Sequence, residues 1–136
     1  MLSKKTQYAL KALSYLAAHH REGPVLIAQI AQSKKIPVKF LESILLNLKK
    51  SGLLESKKGK GGGYFLTKAP NKITIASVLR EVEGPIALLP CVSLHFYQKC
   101  KDCDEINCGL NKVMAITRDG TLQILEKKTL ADLARQ

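Results

Sequence analysis

The chain has 136 residues, 46% apolar and 24% charged, with no Trp and a formal net charge of +11. That length accommodates one domain or a small head with an extension, and the composition excludes a disordered chain. No apolar run approaches the ~20 residues of a bilayer-spanning helix, and the first residues carry no signal-peptide core, so a cytoplasmic protein is expected.

The charge is unevenly spread. Residues 34–60 hold eight lysines against Glu42 and Glu55, a net +6 in one-fifth of the chain. These lysines do not form the polar face of a single amphipathic helix, which argues against membrane attachment. Where a basic block coincides with a helical hairpin, it reads as a phosphate-contacting surface.

In chain order, Tyr8, Ala9, Ala12, Leu13, Leu16 and Ala17 recur at helical spacing and predict a first helix over residues 3–20. Gly23 and Pro24 end it. A short second helix is predicted from Val25 to Ser33, with Leu26, Ile27, Ile30 and Ala31 inward. A third is predicted from Pro37 to about Ser51, with Phe40, Leu41, Ile44, Leu45 and Leu48 buried and Lys39, Glu42, Ser43 and Asn47 on the open face. Two strands follow, 53–58 and 64–67, enclosing Gly59-Lys-Gly-Gly-Gly63. A glycine-rich hairpin bracketed by Lys57, Lys58 and Lys60 is suited to lie against phosphates or enter a minor groove. The predicted fold is therefore mainly α with a small β-hairpin wing: a winged helix-turn-helix, DNA-binding over residues 1–70.

Residues 71–136 are expected to form a cysteine sensor loop and a dimerisation helix. Ile73 to Val82 is a predicted helix with Thr74 as N-cap, ended by Gly84-Pro85. A long helix is predicted from about Cys108 to 127, with Leu110, Val113, Met114, Thr117, Thr121, Ile124 and Leu125 as one stripe and Ile116 and Leu122 off it. Apolar on two sides, it needs a second partner, and its copy in another subunit would supply one. Thr129 and Asp132 have capping-box spacing and open a last short helix.

All four cysteines lie between these helices, spaced C-x8-C-x2-C-x4-C at Cys91, Cys100, Cys103 and Cys108. In a reducing compartment such a cluster points to a metal or redox site rather than to structural disulfides. Four thiolates suffice for an iron–sulfur cluster, and one C-x2-C pair among four cysteines also suits tetrahedral zinc. Reversible thiol–disulfide chemistry without metal is a third reading, because Lys99 and Lys101 flank Cys100 and a nearby cation favours a thiolate.

The chain resembles the bacterial winged-helix regulators typified by the iron–sulfur cluster regulator IscR and the nitric-oxide sensor NsrR. The resemblance rests on Tyr8-Ala-Leu-Lys-Ala-Leu13, Phe40-Leu-Glu42, Lys58-Gly-Lys-Gly-Gly-Gly-Tyr64, the cysteine loop and Thr129-Leu-Ala-Asp-Leu133. It implies a homodimeric transcription factor, a repressor of operator DNA, whose long helices cross at the interface and whose loop holds a [2Fe–2S] or [4Fe–4S] cluster. By that likeness Cys108 matches the family's third cysteine, while Asn111 stands where IscR-like proteins have a His ligand. Gln7 stands where some relatives supply an acidic ligand. Neither is a good iron ligand, and a cysteine is to spare, so Cys91, Cys100, Cys103 and Cys108 are the expected ligands. His95, inside the loop, is an outside candidate.

The expected DNA contacts are Lys39, Glu42 and Ser43 in the major groove and Lys57, Lys58, Lys60, Gly61, Gly62 and Gly63 along the backbone. An enzyme is not expected: Cys100-x-x-Cys103 lacks the βαβ setting of a thiol oxidoreductase, no acid–base or nucleophile constellation is present, and no small-molecule substrate is implied. A winged helix serving only protein contacts is at odds with the +11 charge.

Overall fold

The computed structural model describes residues 2–135. Helix α1 (Lys4–Ala18) starts at Ser3, whose hydroxyl accepts from the Thr6 N–H at 3.1 Å. Its inner face carries Ala9, Ala12, Leu13 and Leu16, all essentially inaccessible to water. Two alanines on that face let neighbouring elements approach closely. Helices α2 (Ile27–Lys34) and α3 (Val38–Lys50) pack against it and against each other. The turn between them is set by Lys35, the left-handed C-cap of α2 at φ 54°, followed by buried Ile36. From α3, Leu41, Ile44, Leu45 and Leu48 enter the core.

Strands β1 (Leu54–Lys57) and β2 (Gly63–Leu66) form an antiparallel hairpin in which Leu54 faces Leu66 and Lys57 faces Gly63. The fold is that of a winged helix-turn-helix. Helix α4 (Ile75–Val82) is capped by the Thr74 hydroxyl, which accepts from the Ser77 N–H. Residues 83–108 contain only short 3-10 turns, at Pro90–Val92 and Glu105–Asn107. Helix α5 (Gly109–Leu125) follows, and α6 (Leu130–Ala134) begins with a capping box between Thr129 and Asp132. The C-terminal segment closes on the same core as α1: the Leu130 N–H donates to the Ile73 carbonyl at 2.9 Å, and the Leu130 side chain is fully buried. Among the described residues no helix is long and apolar enough to cross a membrane.

Three details differ from the periodicity reading. Val25 belongs to the wing rather than to α2. It exchanges two 2.8 Å backbone hydrogen bonds with Tyr64, which turns Leu26 outward. Phe40 is 38% exposed and meets Tyr8 edge to face instead of entering the core. On α5 the predicted stripe is split: Leu110, Val113 and Ile124 are exposed, whereas Met114 and Leu125 are half-buried; Ile116, off the stripe, is exposed too. The inward side also carries Asn111, Ala115, Arg118 and Leu122, one to each turn.

The wing glycines have steric causes. A Cβ on Gly63, at φ 140°, would collide with the Val25 carbonyl, and one on Gly62 with the carbonyls of Lys57 and Gly59. Gly59 and Gly61 have positive φ but open space around them. Gly61→Ala should therefore cost about 1 kcal/mol from backbone conformation alone. Gly63→Ala should cost more and break the Val25–Tyr64 pairing, as urea unfolding and amide exchange at Val25 would report.

Candidate functional site

One exposed basic face is built from α3 and the wing. Lys39, Glu42 and Ser43 lie on the open side of α3, and Lys57, Lys58 and Lys60 stand out from the hairpin. Among the described residues, none of the eight lysines of residues 34–60 is held in an ion pair. Lys49 ties α3 to β1 by donating to the Ser56 hydroxyl at 2.7 Å. Ser43 donates its proton to the Phe40 carbonyl at 2.8 Å, which leaves only acceptor capacity on that hydroxyl. Unpaired lysines beside a solvent-facing helix leave their charge free for an anionic partner.

The second candidate site is the cysteine loop. Cys91, Cys100, Cys103 and Cys108, separated by up to 17 positions, line a single apolar pocket of about 250 Å³ with Leu89, Pro90 and Leu110. All four are free thiols. Cys91 sits in the first 3-10 turn, and Cys108 is the N-cap of α5. Asn111 joins them: its backbone N–H donates to Cys108 Sγ and its Nδ2 to Cys91 Sγ, each at 3.4 Å. The position where the resemblance leaves a poor ligand is thus occupied by a hydrogen-bond donor to two thiols.

Burial first, and then the neighbouring thiols of Cys100 and Cys108, push the Cys103 thiol up to about 11. The donor set has the right chemistry for a soft metal or an iron–sulfur group, since four sulfurs face one low-dielectric space with a lysine, Lys99, in its wall. Among the described residues no three metal-binding side chains are already drawn together to metal-bond geometry. The other ligand candidates stand elsewhere. His95 lines a separate cleft with Arg80 and Phe96, and Gln7 donates to the Leu2 carbonyl at 3.0 Å.

The loop is fastened at several points. Tyr97 donates to the Glu105 carboxylate at 2.8 Å, which joins its two arms and raises the Tyr97 hydroxyl above its usual range. Arg118 of α5 donates to the Val92 carbonyl at 2.7 Å. Where the loop leaves α4, the Glu83 carboxylate accepts from the Ser3 N–H at 2.8 Å and the buried Thr6 hydroxyl at 3.0 Å. The Ser3 N–H lowers the Glu83 carboxyl below the usual value of 4.5, against an opposing effect of burial. The positive end of α1 adds to that preference for the ionised form.

Over residues 2–136 the chain matches the profile of Rrf2, an iron-dependent transcriptional regulator. The chain belongs to the Rrf2 family of transcriptional regulators. An rrf2-like HTH-type regulator of Rhodobacter capsulatus is 43% identical over 98% of the chain and 91% of its own length. The CymR regulator of Bacillus subtilis is 32% identical over 98% and 88% respectively. IscR of Pectobacterium carotovorum is 37% identical over 66% of the chain and 55% of its own length. Among solved structures, CymR of B. subtilis, titled its global cysteine regulator, superposes with a TM-score of 0.83 at 30% identity, covering 99% of this chain and 96% of that one. IscR of T. potens does so with 0.77 at 27%, covering 99% and 86%.

Membership in this family makes the protein a transcriptional regulator and not an enzyme. In this chain the cysteine pocket lies at the start of α5. Sequence reading missed Asn111 as a donor and Arg118 as a tether. Neither carries a signal in the sequence, because each role is defined by a partner 20 or more positions away.

Glu83 gives a pH test. Its folded-state pKa is lowered, so its stabilisation is fully present above the unfolded value and is lost as pH falls through the folded one. Glu83→Gln should lower the Tm at neutral pH, and the gap from wild type should shrink on acidification below about pH 4.

Proposed function

We propose that the chain is a cytoplasmic repressor that senses iron, redox state or nitric oxide through an iron–sulfur cluster ligated by Cys91, Cys100, Cys103 and Cys108. The observation that carries this reading is the convergence of four free thiols on one apolar pocket at the start of α5. A cluster held there supplies a centre whose charge and integrity respond to electrons, oxygen and nitric oxide. Asn111 positions Cys91 and Cys108 in this scheme, and Cys100 and Cys103 close the site from the opposite arm.

Residues 1–70 act as the DNA-reading head. Lys39 and Ser43 meet base edges in the major groove, and Glu42 accepts from a cytosine amino group. Lys57, Lys58 and Lys60 contact phosphates, and Gly61, Gly62 and Gly63 keep that backbone free of side chains. Residues 71–136 act as sensor and dimerisation unit. Ile116, 73% exposed, and Ile124, 61% exposed, lie on an uncovered apolar face of α5, which supports pairing with a second copy. Half-sites about 34 Å apart would then be read together by the two α3 helices.

A second reading, a thiol–disulfide switch without metal, has support of its own. The cysteines are unbridged thiols, and the likeness to CymR extends over nearly the whole chain. A structural zinc site is the remaining alternative for the same four sulfurs.

Iron and acid-labile sulfide per subunit, measured after anaerobic reconstitution, separate the three. Both should be present in wild type and absent from Cys91→Ala and Cys108→Ala, while Cys100→Ala and Cys103→Ala should each keep part of the cluster through the other of the two cysteines. Zinc without sulfide would establish the structural site. No metal, with a Cys–Cys crosslink under peroxide, would establish the switch.

DNA affinity should fall with salt at a slope of log K against log[salt] of about −5 or steeper for a dimer meeting six or more phosphates. Lys58→Ala should flatten that slope by about two per dimer and leave sequence preference intact, whereas Lys39→Ala should relax the preference. A slope near zero would remove the wing and α3 face as the DNA surface.

A further inference from the structure

Arg118 stands on the packed side of α5 with its side chain 17% exposed. Its Nη1 donates to the Val92 carbonyl at 2.7 Å, and its Nε and Nη2 both meet Asp119 Oδ1, at 2.9 and 2.8 Å. The carboxylate fixes the plane of the guanidinium and so aims the remaining donor at the loop.

The acceptor is well chosen for transmitting a displacement. Val92 follows Cys91 directly, and both Val92 and Ser93 are buried, so the carbonyl cannot move independently of the turn that holds the thiol. On the other side, Arg118 lies one turn from Leu122, the residue by which α5 is buried against the body. The Asn111 bond to Cys91 acts only at the first turn of α5, where helix ends fray. The Arg118 bond acts nearly two turns further in, where moving one residue moves the helix.

We infer that Arg118 is a positioning residue that carries displacement of the Cys91 turn into the middle of α5, so that chemistry at the cysteine pocket changes the dimerisation helix. The biological meaning of this link rests on the sensor reading above, but the link itself does not depend on which metal or modification acts at Cys91.

The test uses the full chain with Cys100, Cys103 and Cys108 replaced by serine, so that iodoacetamide labels Cys91 alone. Amide hydrogen exchange of α5 is compared before and after labelling. With Arg118 present, exchange over residues 115–122 should change by about two-fold or more. In Arg118→Met, which keeps the apolar stem and loses the donors, the change should vanish from 115–122. Arg118→Lys, which keeps the charge without the fork, should show a reduced response at unchanged Tm. An equal response in the three-serine chain with Arg118 intact and in its Arg118→Met variant would overturn the inference, as would no response with Arg118 intact. If neither variant folds, Arg118 is a foundation of the fold rather than a link, and the inference falls. If the exchange result holds but reconstitution gives no metal or sulfide, the link stands and the iron–sulfur reading falls.

Discussion

The fold depends on the packing of α1. Its inner face, Ala9, Ala12, Leu13 and Leu16, is the common surface against which α2, α3, α4, α6 and the wing strand β2 are laid. Small side chains at two of these four positions make that convergence possible, because larger ones would hold the neighbouring backbones apart. Everything with a proposed function is positioned from this surface. The open face of α3 is open because its opposite face is taken up by α1. The loop leaves α4 at Glu83, whose carboxylate is fastened to the first turn of the same helix. Even the C-terminal helix, more than a hundred residues later, returns to it through Leu130.

The reading head was legible because its signals are local. Helical spacing in residues 3–20, the Pro37 start of the third helix, and the glycine run between two short strands each have one simple physical interpretation. What was not legible is what depends on residues far apart in the chain. The pairing of Val25 with Tyr64 spans the whole helix-turn-helix, and no periodicity marks a single extended residue before a helix. Phe40 was assigned inward because it is large and apolar, yet its ring finds its partner on Tyr8 at the edge of the core.

The candidate sensor site was half legible. Cysteine is rare enough in this chain that its clustering stands out, and the four thiols do line one pocket. Their spacing carries no information on what lies between them. Asn111 looked like a deficiency when judged as a ligand, and its two contacts to sulfur give it a different task. The long helix has the uncovered apolar side that its two-faced pattern implied, but the side that packs inward also includes an asparagine and an arginine whose polar groups are met by the loop. Polar residues on a packed helix face are deciphered only from their partners.

The two ends of α5 are held in different ways. Its C-terminal end runs into the backbone bonds joining Lys128 to Ile75 and Leu130 to Ile73, fixed in the core. Its N-terminal end rests on thiols and a side-chain amide, contacts that chemistry can alter. Mechanically this is a lever hinged at one end and free to be pushed at the other. At 1.5 Å rise per residue the arm is roughly 25 Å long, so each ångström of travel at Cys108 tilts it by roughly 2°. The fulcrum belongs to the same core as α3, so such a tilt would leave α3 in place and would displace the uncovered apolar face of the arm.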